Sequence, residues 1–182
     1  MPSFDYNAAL NFLESLYDYE KNAHKKSPPP FHLEKISDVL KKLDNPQDKY
    51  KVIHIAGTKG KGSVAAMTTA ILKRAGLKVG TYTSPHLIDI RERISIDDEP
   101  IDKKTFSEGI YAVKKVLGPR PKEYGTFFEV LTASAFYTCA KKNVDIAVVE
   151  SGLGGRYDAT NIVYPEIAIL TRIGIDHTER LG

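Results

Sequence analysis

The chain has 182 residues, of which 42% are hydrophobic and 27% are charged, and its formal net charge is +3. These values are typical of one globular domain with a substantial core, and the small charge gives no reason to expect binding to nucleic acid or to an anionic membrane. The single cysteine, Cys139, excludes a disulfide within the chain and a cysteine-rich metal site. It lies in an apolar helical stretch, which indicates a buried structural thiol in a reducing compartment.

Two amphipathic helices are predicted before the first strand. They cover residues 4–20 and 33–43, where apolar residues recur at helical spacing, and the three prolines of KKSPPP separate them. The N-terminus has no apolar block of the signal-peptide kind, and no apolar run in the chain is long enough to cross a bilayer. We therefore expect a cytoplasmic protein without a membrane partner.

From residue 51 onward, short apolar strands alternate with helices. The predicted strands cover residues 51–56, 78–83, 92–97, 144–150 and 166–171, with 92–97 at an edge. The predicted helices between them cover residues 61–75, 103–117 and 127–142. Strands that are apolar on both faces and alternate with helices predict an α/β fold, a mostly parallel sheet covered by helices.

A glycine-rich stretch, GTKGKGS at residues 57–63, follows the first predicted strand and opens a helix. Such a turn directs backbone N–H groups and the positive end of a helix at one point, which suits a phosphate, and a lysine adds charge. The stretch departs from the pattern G-x-x-x-x-G-K-[ST] because Ile55 occupies the first glycine position and Gly62 follows the lysine. A structural turn that binds nothing is therefore the alternative at this point.

Three further polar residues follow other predicted strands: Ser84, Glu150 and His177. Ligands of open α/β sheets bind outside the carboxyl ends of the strands, so we expect these side chains near the glycine-rich turn. A hydroxyl and a carboxylate suit magnesium, whereas an imidazole is an unusual ligand for it. Helix capping is the alternative for the serine and the acid, and a structural role is the alternative for the histidine. Together these residues favour a site for a metal–nucleotide complex.

Five motifs in order carry a resemblance to a known family: GTKGKGS, TSPHLIDIRERISID, FFEVLTASAF, VVESGLGGRYDATN and TRIGIDHTERLG. From about residue 30 to its last residue, the sequence resembles the folylpolyglutamate synthase/dihydrofolate synthase family of the Mur ligase superfamily. The resemblance implies a P-loop-type nucleotide-binding domain like that of the Mur ligases, present incompletely. It assigns residues 1–182 to the N-terminal portion of the ATP-binding domain, without the C-terminal glutamate-ligase domain, so we expect this chain to be inactive alone.

The same resemblance implies an ATP- and Mg2+-dependent ligase, monomeric as a whole protein, with small-molecule substrates. Such an enzyme joins L-glutamate to the carboxylate of a folate or dihydropteroate through an acyl phosphate. The sequence leaves other interpretations open: another amide ligase of the Mur superfamily, a nucleotide-binding module without catalysis, or a structural domain.

The resemblance also assigns roles to residues. Lys61 is the phosphate-binding and catalytic lysine, while Lys59 replaces the family's usual Asn and adds positive charge. The nucleotide-binding residues it implies are Gly57, Thr58, Lys59, Gly60, Lys61, Gly62 and Ser63, and the metal ligands are Ser84, Glu150 and His177. The substrate-binding residues it implies are Thr126, Tyr157, Asp158 and Ala159.

Some neighbouring residues keep two interpretations. Phe127 and Phe128 fit either a substrate contact or the core, and we expect at least one in the core. Arg91 and Arg93 fit either an anionic substrate or a role in holding their loop. His32 replaces a glycine of the family pattern, which argues against substrate binding by residues 30–33.

Overall fold

A computed structural model describes residues 5–18, 33–119, 121 and 125–175. His177 and residues 30–32 lie outside this part of the chain. The strands are β1 (Lys51–Ala56), β2 (Val79–Tyr82), β3 (Ile94–Ile96), β4 (Glu99–Pro100), β5 (Ile146–Glu150) and β6 (Ile167–Leu170). They form one sheet in the order β4-β3-β2-β5-β1-β6, in which β2, β5, β1 and β6 are parallel and β3 and β4 are antiparallel. The predicted mostly parallel sheet is confirmed.

The helices are α1 (Tyr6–Glu14), α2 (Leu33–Lys42), α3 (Lys61–Arg74), α4 (Lys103–Leu117) and α5 (Phe127–Lys141). Short 3-10 helices cover Pro46–Asp48, Ile90–Arg93 and Ala159–Ile162. Within the described ranges, no helix combines the length and the apolar character that a membrane span requires.

Two predicted elements were wrong in extent. The helix expected over 4–20 ends at Glu14, and Ser15 caps it. The strand expected over 92–97 is reduced to Ile94–Ile96 because residues 90–93 form a 3-10 helix. Asp89 and Glu92 form a capping box around that helix, and this local bonding competes successfully with the strand.

The two faces of the sheet pack against different numbers of helices. On one face, α3 covers a small core that includes Ile55, Ala65 and Val148. On the other face, the larger core includes residues of α1, α2, α4 and α5. Cys139 of α5 is buried there, and burial raises the pKa of its thiol to about 12, which confirms the structural thiol. The helix-covered sheet places the carboxyl ends of β1, β2, β5 and β6 at one edge.

Candidate functional site

The glycine-rich turn connects β1 to α3 and has the conformation that its glycines allow. Gly57 has φ +139°, and a Cβ there would lie 2.1 Å from Thr171 Oγ1, so a larger residue does not fit. Gly60 caps α3 with φ +86°. The helix begins with the bond from Val64 N–H to the Gly60 carbonyl, at 3.0 Å. The amides of the first helical residues therefore lie at the positive end of α3 without helical acceptors.

Lys61 is the first residue of α3, and its side chain folds back over the turn. Its ammonium group donates a hydrogen bond to the Gly57 carbonyl at 2.9 Å. The lysine is half-buried, and its charge opposes the rise that burial causes in the pKa of Glu150. The structure thus places a cation at the glycine-rich turn and within electrostatic reach of the predicted metal ligand.

Glu150 ends β5 and is 5% exposed. The Ser84 backbone N–H donates to its Oε2 at 3.3 Å, and a Cβ on Gly62 would lie 3.7 Å from the same oxygen. Burial raises the pKa of the Glu150 carboxyl, and the Ser84 amide and the charge of Lys61 oppose that rise. The structure therefore brings together the turn, Ser84 and Glu150, as the sequence predicted.

Ser84, Glu150 and part of the glycine-rich turn line an open cleft of about 490 Å³ at the edge of the sheet. Its lining is rich in hydroxyl and carboxylate oxygens, which are the ligands that Mg2+ prefers. Among the residues that the structure describes, no three His, Cys, Asp or Glu side chains form a metal cluster. The donor set of Ser84 and Glu150 fits magnesium, and a bound cation would compensate the buried carboxylate. The lining residues are Gly60, Gly62, Ser63, Ala66, Thr69, Thr81, Thr83, Ser84, Pro85, Ser95, Asp98 and Glu150.

The segment that follows β6 fixes the outer half of the turn, a contact that sequence reasoning missed. The amides of Thr58 and Lys59 both donate to the Arg172 carbonyl, at 2.9 and 3.3 Å. The Thr58 hydroxyl donates to the Gly174 carbonyl and accepts from the Gly174 amide, each at 3.0 Å. A nucleotide role for Thr58 and Lys59 stays a prediction, and it would rest on their side chains because these two amides are already engaged.

The predicted substrate residues lie at the start of α5 and in the loop after Glu150. Thr126 caps α5 through a capping box with Glu129. Asp158 is buried and caps the 3-10 helix that begins at Ala159, which is also buried. Tyr157 is 59% exposed. Among these four residues, only the tyrosine presents a largely exposed side chain, and their role in substrate binding stays a prediction.

The two phenylalanines at the start of α5 differ in burial. Phe127 is buried and lies under the Arg93 guanidinium, 5.4 Å from ring centroid to Cζ. Phe128 is half-buried, and its ring contacts Gly152 so closely that a Cβ there would lie 2.5 Å from it. The expectation that at least one belongs to the core is confirmed, and Phe128 connects α5 to the loop after Glu150.

The Mur ligase middle domain family matches residues 55–182, which is most of the chain. The chain belongs to this family. The matched region of this Mur ligase domain begins in β1 and contains the glycine-rich turn, Ser84 and Glu150.

Similar proteins of known name agree with this assignment. The dihydrofolate synthase/folylpolyglutamate synthase of Bacillus subtilis is 40% identical over 154 residues, which are 82% of this chain and 36% of that enzyme. The E. coli enzyme FolC, solved with DHPP and ADP, is 32% identical and has a TM-score of 0.86. The match covers 100% of this chain and 42% of the FolC chain. A bifunctional folylpolyglutamate synthase/dihydrofolate synthase, solved with Mn, AMPPNP and L-glutamate, is 35% identical and has a TM-score of 0.83. That match covers 98% of this chain and 40% of the solved chain. The chain thus spans about a third of the curated relative's length.

Sequence reasoning missed one buried polar residue, which directly precedes the matched region. His54 lies in the middle of β1, and its Nε2 is 2.8 Å from Thr160 Oγ1. The signal was available, because a histidine inside the apolar strand KVIHIA is an exception to the apolar pattern. Its partner lies 106 residues further along the chain and could not be inferred from that pattern.

Proposed function

We propose that the glycine-rich turn, Ser84 and Glu150 bind Mg-ATP. The whole protein uses this nucleotide to join L-glutamate to the carboxylate of a folate or dihydropteroate. One observation carries the proposal: the buried Glu150 carboxylate faces the lysine-bearing turn at the N-terminus of α3. This arrangement combines an anion site with a cation site within one cleft. Because the chain spans about a third of its curated relative, the ligase activity is proposed for the whole protein and nucleotide binding for these residues.

The chemistry needs a carboxylate to become an electrophile. Transfer of the ATP γ-phosphoryl group to a substrate carboxylate oxygen gives an acyl phosphate and ADP. The glutamate amine then attacks the carbonyl carbon, the amide bond forms, and phosphate leaves. Phosphoryl transfer depends mainly on positioning and charge neutralisation. Lys61 supplies a positive charge beside the phosphates, and the free amides of the first turn of α3 orient them.

Ser84 and Glu150 would hold magnesium, with His177 as the third ligand that the sequence predicts. Magnesium supplies neutralisation of phosphate charge when bound. In this proposal, Glu150 has a second task, because its buried carboxylate accepts the Ser84 amide and so orients the Ser84 backbone beside the turn.

The substrate assignment rests on the relatives, since FolC was solved with DHPP and another relative with L-glutamate. Thr126, Tyr157, Asp158 and Ala159 are the proposed contacts for the folate-type substrate, and the half-buried Phe128 brings the two segments together. A monomeric whole enzyme in the cytoplasm is also proposed, and the buried, free Cys139 supports a reducing compartment.

The test of nucleotide binding is a calorimetric titration of Mg-ATP into the 182-residue protein and its variants. Lys61→Ala should weaken binding by about tenfold or more, because charge-assisted hydrogen bonds contribute about 1.5–3 kcal/mol. Glu150→Ala should remove the magnesium dependence of binding. Lys49→Ala is the matched control, since this lysine pairs with Asp44 on the surface, and it should bind like the wild type.

A folded wild-type protein that binds no Mg-ATP, or a Lys61→Ala variant that binds it as tightly, would contradict the nucleotide site. The substrate assignment needs the full-length enzyme and a panel of carboxylate and amino-acid substrates. Activity with a cell-wall precursor and none with dihydropteroate or folates would identify another amide ligase of the superfamily.

A further inference from the structure

His54 is a buried titratable residue that the proposed chemistry does not use. It lies in the centre of β1, is 7% exposed and stands directly opposite Val149 of β5. It belongs to the face of β1 that points away from α3, together with Val52. A histidine in such a position costs free energy unless its ring nitrogens find partners. Its Nε2 finds the Thr160 hydroxyl at 2.8 Å.

Thr160 continues the contact to a buried carboxylate. Its hydroxyl and its backbone N–H both donate to Asp158 Oδ1, at 2.5 and 3.0 Å. The other carboxylate oxygen, Oδ2, accepts the Leu153 backbone N–H at 2.8 Å. His54, Thr160 and Asp158 are all buried. This hydrogen-bonded chain therefore connects the middle of β1 to the loop that follows Glu150.

The direction of the hydrogen bonds relates the protonation of the histidine to that of Asp158. Burial raises the pKa of the Asp158 carboxyl, and the donors Thr160 and Leu153 oppose that rise. A threonine hydroxyl has one proton, and that proton goes to Asp158 when the carboxylate is ionised. The hydroxyl can then only accept from His54, so Nε2 carries a proton. Burial lowers the pKa of His54, which favours the neutral ring. With Asp158 ionised, these contacts favour the neutral tautomer with its proton on Nε2.

These hydrogen bonds hold the loop of residues 151–158, which we call the acid loop. It has no regular helix or strand, and it follows Glu150 and contains the proposed substrate residues Tyr157 and Asp158. Ser151 N–H donates to the Ile55 carbonyl at 2.9 Å, which fixes its first residue on β1. The Asp158 carboxylate fixes Leu153 and so folds the loop back on itself. The hydrogen bonds of His54, Thr160 and Asp158 hold the C-terminal end of the acid loop, and β1 holds its N-terminal end.

We propose that His54 is a positioning residue that acts through Thr160 and Asp158 to hold the acid loop in the conformation that binds the folate-type substrate. This inference deepens the proposed function and rests on it for the identity of the ligand. The hydrogen-bond chain itself depends only on the contacts of these three side chains.

The test compares two substitutions of the same residue in the 182-residue protein. In His54→Gln, the side-chain amide can reach and donate to Thr160, whereas His54→Leu removes the donor. Hydrogen exchange of the Leu153 amide should become about tenfold faster or more in the leucine variant and stay within about twofold of wild type in the glutamine variant. Tyr50→Phe, which removes a part-buried bond to the Phe136 carbonyl of α5, controls for general destabilisation.

Two further measurements separate positioning from a merely structural role. Long-range proton–nitrogen NMR spectra should show His54 as the neutral tautomer protonated on Nε2. Titration of dihydropteroate into the ADP-saturated protein should show affinity at least about tenfold weaker in His54→Leu and largely restored in His54→Gln, while Mg-ATP affinity stays within about twofold in both.

Several results would overturn the inference. These are a proton on Nδ1 only, equal Leu153 exchange in the leucine and glutamine variants, or equal loss of nucleotide and pterin affinity in His54→Leu. A wild type that binds Mg-ATP but no dihydropteroate would contradict the proposed substrate, and the tautomer and the exchange rates would then decide the hydrogen-bond chain on their own.

Discussion

At the scale of single residues, Glu150 shows how stability and binding oppose each other. Its carboxylate is buried, and among the described residues the Ser84 amide donates a hydrogen bond to it. Burial raises its pKa, and the nearby charge of Asp158 adds to that rise. In the absence of a cation, the ionised form therefore destabilises the folded protein, and a ligand that brings positive charge gains affinity for the same reason.

Glu150→Gln should therefore raise the melting temperature of the ligand-free protein at pH 7. The folded pKa lies above the unfolded one, so the wild type loses stability as the pH rises through that interval, and the uncharged glutamine does not. The difference should be largest above the folded pKa and vanish below the ordinary pKa of a glutamate side chain, because burial raises the pKa of Glu150. Mg-ATP should reverse the order, because the variant lacks the anionic ligand. Thermal melts across pH, with and without Mg-ATP, check this, and a variant less stable than wild type without ligand at pH 7 would contradict it.

At the scale of elements, the glycine-rich turn is held from both sides. Its inner half is the N-terminus of α3, and its outer half is bonded to the segment after β6 through Arg172 and Gly174. Thr171 also bonds back to the Ala56 carbonyl, through its amide at 2.8 Å and its hydroxyl at 3.3 Å. The turn is therefore part of a packed junction between β1, α3 and the segment after β6. This junction keeps the unbonded amides of the turn oriented without a ligand.

Gly57→Ala should disrupt this junction. The added methyl group would overlap Thr171 Oγ1 at 2.1 Å, and φ +139° disfavours any side chain. The combined strain and overpacking should cost about 3 kcal/mol or more of unfolding free energy. Gly76→Ala is the control, because φ is +86° there but no atom lies within 4 Å, so it should cost only about 1–2 kcal/mol. Urea unfolding measures both, and equal losses would contradict the tight junction.

At the scale of the whole molecule, the two faces of the sheet are unequally protected. The small core under α3 leaves Met67 and Ile71, one helical turn apart, 58% and 69% exposed. Within the described residues β6 pairs with β1 alone and forms an edge of the sheet, with Ile167 53% exposed. An exposed strand edge and exposed apolar helix residues each favour association between copies.

The 182-residue protein should therefore self-associate at high concentration, and Ile71→Lys should weaken that association by about tenfold or more, because a charge in an apolar contact is costly. Leu87→Lys is the control, since this leucine is 91% exposed in a loop elsewhere. Sedimentation velocity over a range of concentrations measures the association. A wild type that stays monomeric throughout would contradict the prediction.

Much of the fold and part of the site could be predicted without coordinates. The alternation of apolar strands with helices gave the parallel sheet, because side-chain burial on both faces requires apolar residues throughout each strand. The convergence of Ser84 and Glu150 on the turn followed from the rule that parallel strands end at one edge. The strand expected over 92–97 could not be shortened from the sequence pattern. The Glu92 carboxylate accepts the amides of Leu87, Ile88 and Asp89, and these bonds favour the 3-10 helix over the strand.

The sequence by itself determined the features that depend on neighbouring residues: helix and strand periods, the turn that only glycines permit, and the polar residues at strand ends. Tertiary structure alone decided the partners of Thr58 and His54, which lie 116 and 106 residues away, and the weaker covering of one face. The physical reason is that local patterns reflect backbone geometry within a few residues. Long-range contacts depend instead on strand order and register, which bring together side chains that no local pattern relates.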